Sequence, residues 1–116
     1  MLPARSRLRD KATLTATVRR GTRSGRRCLV VHFLGADSVE ATLQEKPPRV
    51  GFAVSKAVGG SVVRHQVSRR LRHVVAAHLR ELPAGSTIVV RALAPAAQAS
   101  SAELDRDFTT ALSRVA

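Results

Sequence analysis

At 116 residues and 44% hydrophobic content the chain can bury one modest core, so a single domain over 1–116 is the starting expectation. Lysine and arginine outnumber aspartate and glutamate 20 to 8, and the resulting formal charge of +12 points to a polyanionic partner. The same composition excludes a membrane span, for which no apolar run of about twenty residues exists, and an internal disulfide, because Cys28 is alone.

Arginine supplies 17 of the 20 cations, and a guanidinium forks onto phosphate oxygens as an ammonium cannot. The opening Met1-Leu2-Pro3-Ala4-Arg5-Ser6-Arg7 is basic without a following apolar stretch. No signal peptide is therefore expected, and the cytoplasm is the expected compartment. Over 10–20, Leu14 and Val18 are spaced by four, Asp10 stands at the start and Gly21 at the end, which predicts a short helix. Residues 22–27 read as a basic, glycine-containing loop. A strand is predicted over 28–34 from a β-branched and aliphatic run, with Cys28 as part of its core and no redox role. A second, weaker strand is expected over 38–43, before Glu45-Lys46-Pro47-Pro48 breaks the chain. The third strand covers 49–55, with Phe52 and Val54 on one face, and Gly59-Gly60 turns out of it.

The strongest helix signal spans 61–81, where Val67, Leu71, Val74, Val75 and His78 recur at helical spacing; Leu82-Pro83-Ala84-Gly85 ends it. Residues 87–93 form another β-branched run. Ser100 and Glu103 have capping-box spacing ahead of a last helix, with Leu104, Phe108, Ala111, Leu112 and Val115 on one face. The order αβββαβα predicts an α+β fold, a small α/β sandwich with helices against one sheet.

Cations concentrate on the helix over 61–81. At 100° per residue, His65, Arg69, Arg72, His73 and Arg80 fall within about a third of the circumference, opposite Val67, Leu71, Val74 and His78. A passively solvated face usually mixes signs, yet no acid occurs between Glu45 and Glu81; the ridge is read as a nucleic-acid contact. Arg64 lies beside the apolar stripe, where it either grips a phosphate together with the helix N-terminus or forms a structural ion pair. No catalytic constellation is visible. His32, His65, His73 and His78 are assigned no carboxylate or cysteine partners of the kind a zinc site needs, and His78 reads as a core histidine.

The segment Arg49-Val50-Gly51-Phe52-Ala53-Val54-Ser55-Lys56, followed by Val58-Gly59 and by Val62-Val63-Arg64-His65-Gln66-Val67-Ser68-Arg69-Arg70-Leu71-Arg72, resembles the signature of the bacterial ribonuclease P protein family. There the strand ends Val-Ser-Lys-Lys and the helix reads Arg-Asn-x-x-Lys-Arg-x-x-Arg. Arg7-Leu8 through Gly21 aligns with the family's first helix, so the resemblance covers nearly the whole chain. It implies a fold of the ribosomal protein S5 domain 2-like group with a left-handed βαβ crossover.

It also implies that the chain aids removal of the 5′ leader from precursor tRNA, with hydrolysis carried by a catalytic RNA subunit that uses Mg2+. The RNA-subunit contacts carried over are Lys56, Arg64, His65, Arg69, Arg70 and Arg72, and the leader cleft is Leu14, Val18, His32 and Phe52. The chain departs from the family at Ala57, His65 and Ser68, which replace a lysine, the asparagine and a lysine. The asparagine is associated with a bound metal ion, and imidazole is a poor substitute ligand for magnesium, so no protein metal ligand and no catalytic residue is assigned. Leu14, Val18 and His32 stand where aromatic residues are common, which weakens base stacking, worth roughly 1–3 kcal/mol per base. The competing reading is a non-enzymatic basic RNA-binding protein of ribosomal or assembly type. Duplex DNA is not expected as a partner, because strand residues precede the basic helix where a helix-turn-helix needs another helix.

Overall fold

The computed structural model describes residues 2–36 and 46–116. Among these residues three helices, α1 (Lys11–Arg20), α2 (Ser61–Ala77) and α3 (Ser101–Val115), pack on four strands, β1 (Thr22–Gly25), β2 (Leu29–Leu34), β3 (Arg49–Ala53) and β4 (Thr87–Ala92). The spatial order is β1-β2-β4-β3. Strand β2 runs antiparallel to both β1 and β4, whereas β3 lies parallel to β4 and reaches it through α2.

One correction to the sequence reading concerns the strands. Residues 22–25, expected as loop, pair with β2 from Thr22 opposite Phe33 to Gly25 opposite Val30. The expected strand over 38–43 lies outside the described residues.

The helix ends follow from local chemistry. Asp10 accepts the Thr13 N–H at 3.2 Å and caps α1. At α3, the Ser100 hydroxyl accepts the Glu103 N–H while the Glu103 carboxylate accepts the Ser100 N–H, both at 3.1 Å, which completes the capping box the spacing predicts.

The main core lies between one sheet face and the helix pair α2 and α3. Val67, Leu71, Val74 and Val75 from α2 meet Leu104, Phe108, Ala111 and Leu112 from α3 over Val31, Val50, Ile88 and Val90. Fully burying each such side chain contributes about 1.5–3 kcal/mol before the entropy of ordering it is subtracted. Phe108 is the largest of the fully buried side chains, so aliphatic packing carries most of this core.

Helix α1 crosses the opposite face. Its Thr17, fully buried, bonds Thr87 of β4 hydroxyl to hydroxyl at 2.7 Å. Gly51 of β3 permits the approach: a Cβ there would lie 2.6 Å from Leu14 Cδ2 and 3.2 Å from the Leu8 carbonyl oxygen. The two sheet faces thus serve different ends, a sealed core under α2 and α3, and a partly open cleft beside α1.

Candidate nucleic-acid interface

Strand β3 hands the chain to α2 through a tight turn in which Val58 N–H donates to Ser55 O at 3.1 Å and Gly59 N–H to Lys56 O at 3.2 Å. Lys56 is left exposed at its tip. Gly60 is the N-cap of α2 and makes no side-chain cap, so the first-turn N–H groups keep their attraction for an anion. Arg64 sits one turn in, half-buried, and its Nε finds no partner among the described residues. Among those residues the ion pairs within 4 Å are both made by His78, so the structural ion pair considered for Arg64 is not formed with any described carboxylate.

Further along α2, His65, Arg69, Arg72 and His73 line one shallow groove of about 500 Å³. The ridge expected from helical spacing is therefore assembled, with one correction. Arg80 does not belong to it, because α2 ends at Ala77 and Arg80 lies in a separate 3-10 turn, Leu79–Glu81. Arg70, carried over as an RNA-subunit contact, lies off this ridge: it is half-buried and its guanidinium donates to the Ala99 carbonyl at 3.4 Å, which ties α2 to the start of α3.

What makes the surface electropositive is how the acids are used. Asp10 caps α1, Glu103 completes the box at Ser100, and Asp107 accepts the Cys28 N–H at 2.9 Å. Glu81 and Asp105 hold His78. Every described aspartate and glutamate is thus committed to a structural bond, and none lies within salt-bridge distance of a described lysine or arginine.

His78 corrects the sequence reading, since it is no isolated core histidine. Its Nδ1 faces Glu81 Oε2 at 2.8 Å and its Nε2 faces Asp105 Oδ1 at 2.5 Å, with Phe108 beside the ring. Bonds from both ring nitrogens to carboxylates require the imidazolium, and the Asp105 bond, ahead of the opposing effect of burial, raises the His78 pKa above its ordinary value. Cys28 is buried, and burial followed by the bond to Asp107 pushes its thiol up, away from the reactive thiolate.

On the other face, Leu14, Thr15, Val18 and Arg19 of α1 face Phe52, Ala53 and Val89 across a cleft of about 320 Å³. Val18 is 46% exposed for want of a neighbour across this gap. Two of the four residues expected here are placed differently. Phe52 borders the cleft, but it pairs with Val90 and packs against the main core, so strand alternation makes Ala53 the outward residue, on the Gly51 side. His32 pairs with Val89 and Arg23 on the cleft side of the sheet, yet it is only 2% exposed and does not line the opening. Burial first, then Arg91 and Arg23, lower its pKa, and neither ring nitrogen has a partner among the described residues.

The register reveals further cleft-side residues. Arg91 lies level with Ala53, and Arg23 with His32, so both arginines border the same sheet face; Thr15, Arg19 and Val89 join them. Hydrophobic spacing carries no signal for Arg23 or Arg91, since the face a strand residue takes is fixed only once its partner is known.

Among the described residues no group of three or more histidine, cysteine, aspartate or glutamate side chains is placed to hold a metal ion, and no helix is long and apolar enough to cross a membrane. Fold and surface together define a small basic α/β protein with an arginine ridge on one side of its sheet and an apolar-floored, arginine-bordered cleft on the other. A sequence model described as Ribonuclease P matches residues 2–116, and the chain belongs to that family. It is 53% identical to the ribonuclease P protein component of a Nocardioides species over 115 residues, covering 99% of this chain and 95% of that protein. To the corresponding component of Streptomyces bikiniensis it is also 53% identical, with the same coverage of 99% and 95%. Its fold matches the RNase P protein of Staphylococcus aureus with a TM-score of 0.77 at 23% identity, covering 94% of each chain. The RNase P protein of Thermotoga maritima superimposes equally well, with a TM-score of 0.77 at 19% identity over 97% of this chain and 99% of that one.

Proposed function

We propose that this chain is the protein subunit of a ribonuclease P, which binds a catalytic RNA subunit through α2 and receives the 5′ leader of precursor tRNA in the cleft beside α1. The observation that carries this reading is the separation of two surfaces by one sheet. No described carboxylate lies within salt-bridge distance of the ridge of His65, Arg69, Arg72 and His73, whereas the cleft of Leu14, Val18, Ala53 and Val89 lies on the opposite face. One protein can then touch two RNA segments at once.

The division of labour follows from the side chains. Lys56, Arg64, Arg69 and Arg72, with the uncapped start of α2, neutralise phosphates and release counterions, which gives affinity and a steep salt dependence. Arg70 acts through packing: it holds α2 against Ala99 and so keeps the ridge in place. In the cleft the aliphatic floor gives a leader base apolar contact in place of aromatic stacking, and Arg19, Arg23 and Arg91 at its border attract the backbone of a single strand.

Hydrolysis is assigned to the RNA subunit. Magnesium ions held by that RNA would supply the activated water. The test is reconstitution. The protein combined with the RNA subunit from the same organism should cut precursor tRNA at the mature 5′ end with a lower KM than the RNA alone. An equal KM with and without protein would favour the ribosomal or assembly-type reading.

A further inference from the structure

We infer that the β1–β2 hairpin tip and the outer face of α3 form a second site for an RNA sugar-phosphate backbone, built from Arg26, Arg27 and Arg106. The inference rests on the proposed ribonucleoprotein role. The tip is only three residues long, Arg26 to Cys28, and Arg26 N–H donates to Leu29 O at 2.8 Å to close it. Asp107 of α3 accepts the Cys28 N–H at 2.9 Å, which pins the turn against the helix. Arg26, Arg27 and Arg106 then line one groove of about 240 Å³ together with Glu103 and Asp107.

The carboxylates in this groove offset part of its charge and leave it cationic, with Arg26, Arg27 and Arg106 against Glu103 and Asp107. Glu103 is held in the capping box and Asp107 by the hairpin backbone, and neither comes within 4 Å of a described guanidinium. Glu103 keeps one oxygen without a partner among the described residues. Guanidinium groups beside a fixed free acceptor suit a phosphate flanked by a hydroxyl donor. Phosphate next to a ribose 2′-hydroxyl is the repeating surface of an RNA strand, whereas the ionised carboxylates of an acidic protein bring no donor of their own.

Position in the fold selects which RNA. Helix α3 packs against α2 and against the core face of the sheet, opposite α1 and the cleft. Along α3, Asp105 turns to His78 at the end of α2 and Asp107 turns to the hairpin, so Arg106 between them points outward on the helical side. The α2 ridge belongs to that same helical layer. The site therefore extends the contact with the RNA subunit.

The test compares R26A/R27A/R106A with R69A/R72A in the full-length protein, measuring affinity for the RNA subunit against salt concentration. The triple variant is expected to flatten the slope of log affinity against log salt by about two to three, at roughly 0.9 for each phosphate no longer neutralised. The charge-keeping R26K/R27K/R106K protein should restore most of that slope, which separates loss of charge from loss of fold. Should the triple variant match wild type while R69A/R72A is weakened, this inference fails alone; if neither variant differs from wild type, the ribonucleoprotein reading fails with it. A defect seen only when preassembled holoenzyme binds precursor tRNA would overturn the assignment to the RNA subunit.

Discussion

His78 at the end of α2 and Asp105 on α3 meet through Nε2 and Oδ1 at 2.5 Å, and this bond joins the two helices of the core layer. Because Glu81 takes the other ring nitrogen, the pair is made by an imidazolium whose pKa is raised in the folded protein. Its contribution to stability is therefore fully present below the unfolded histidine value of about 6.5 and is lost as pH rises through the higher folded value. Asp105→Asn should lower stability by about 1–2 kcal/mol near pH 6, and the difference from wild type should shrink toward pH 9. Denaturant melts across that range check it; a pH-independent difference would mean the bond does not need the charged ring.

His32 should show the opposite slope. Its pKa is depressed by burial and by Arg91 and Arg23, so the neutral ring stabilises the fold above pH about 6.5 and that contribution is lost as pH falls. His32→Leu removes two buried nitrogens that have no partner among the described residues and is expected to raise stability by about 1–3 kcal/mol, most of all at pH 5. Thermal melts of both proteins at pH 5 and pH 8 decide the matter, and a destabilised variant at both values would show that His32 makes a bond worth keeping.

The cleft assignment predicts a selective defect. Val18 is nearly half exposed, so Val18→Asp should leave the fold intact while placing a negative charge where the leader would lie. The reconstituted holoenzyme should then lose affinity for leader-bearing precursor by about tenfold, the equivalent of removing one base-stacking interaction, and keep its affinity for mature tRNA. Phe52→Ala is expected to act differently. Because Phe52 packs against the core, its truncation should cost about 2–4 kcal/mol of stability together with any loss in leader binding.

Gly51 is where cleft and fold are coupled. A Cβ placed 2.6 Å from Leu14 Cδ2 must displace α1, so Gly51→Ala should cost about 1–3 kcal/mol and weaken precursor binding in parallel. Loss of either property without the other would separate the packing of α1 from the shape of the cleft.

These outcomes bear on what the sequence makes legible. The core side of α2 is written in Val67, Leu71, Val74 and Val75, because helical spacing alone determines which residues share a face, and all four are buried. Strand β1 is not written in this way. Thr22 to Gly25 holds no apolar residue, and the segment becomes a strand by pairing its backbone with β2 at the sheet edge. For Phe52 and Arg91 the alternation is legible but its phase is not, since register with β4 decides which side each one takes. Arg80 falls off the ridge because the chain departs from helical geometry at His78, where bonds to Glu81 and Asp105 fasten the end of α2; the pattern of apolar residues holds no trace of them. The site residues on α2 are therefore largely readable in the sequence, whereas those set by strand pairing are not.

The most direct test of the central claim is the salt dependence of RNA-subunit binding by R69A/R72A against wild type. Arg69 and Arg72, neither of them paired with a described carboxylate, should release counterions from about two phosphates, so the variant should show a weaker affinity and a log–log slope shallower by about 1.8. Parallel lines of equal height would contradict the account, because they would mean that the α2 ridge does not touch the RNA.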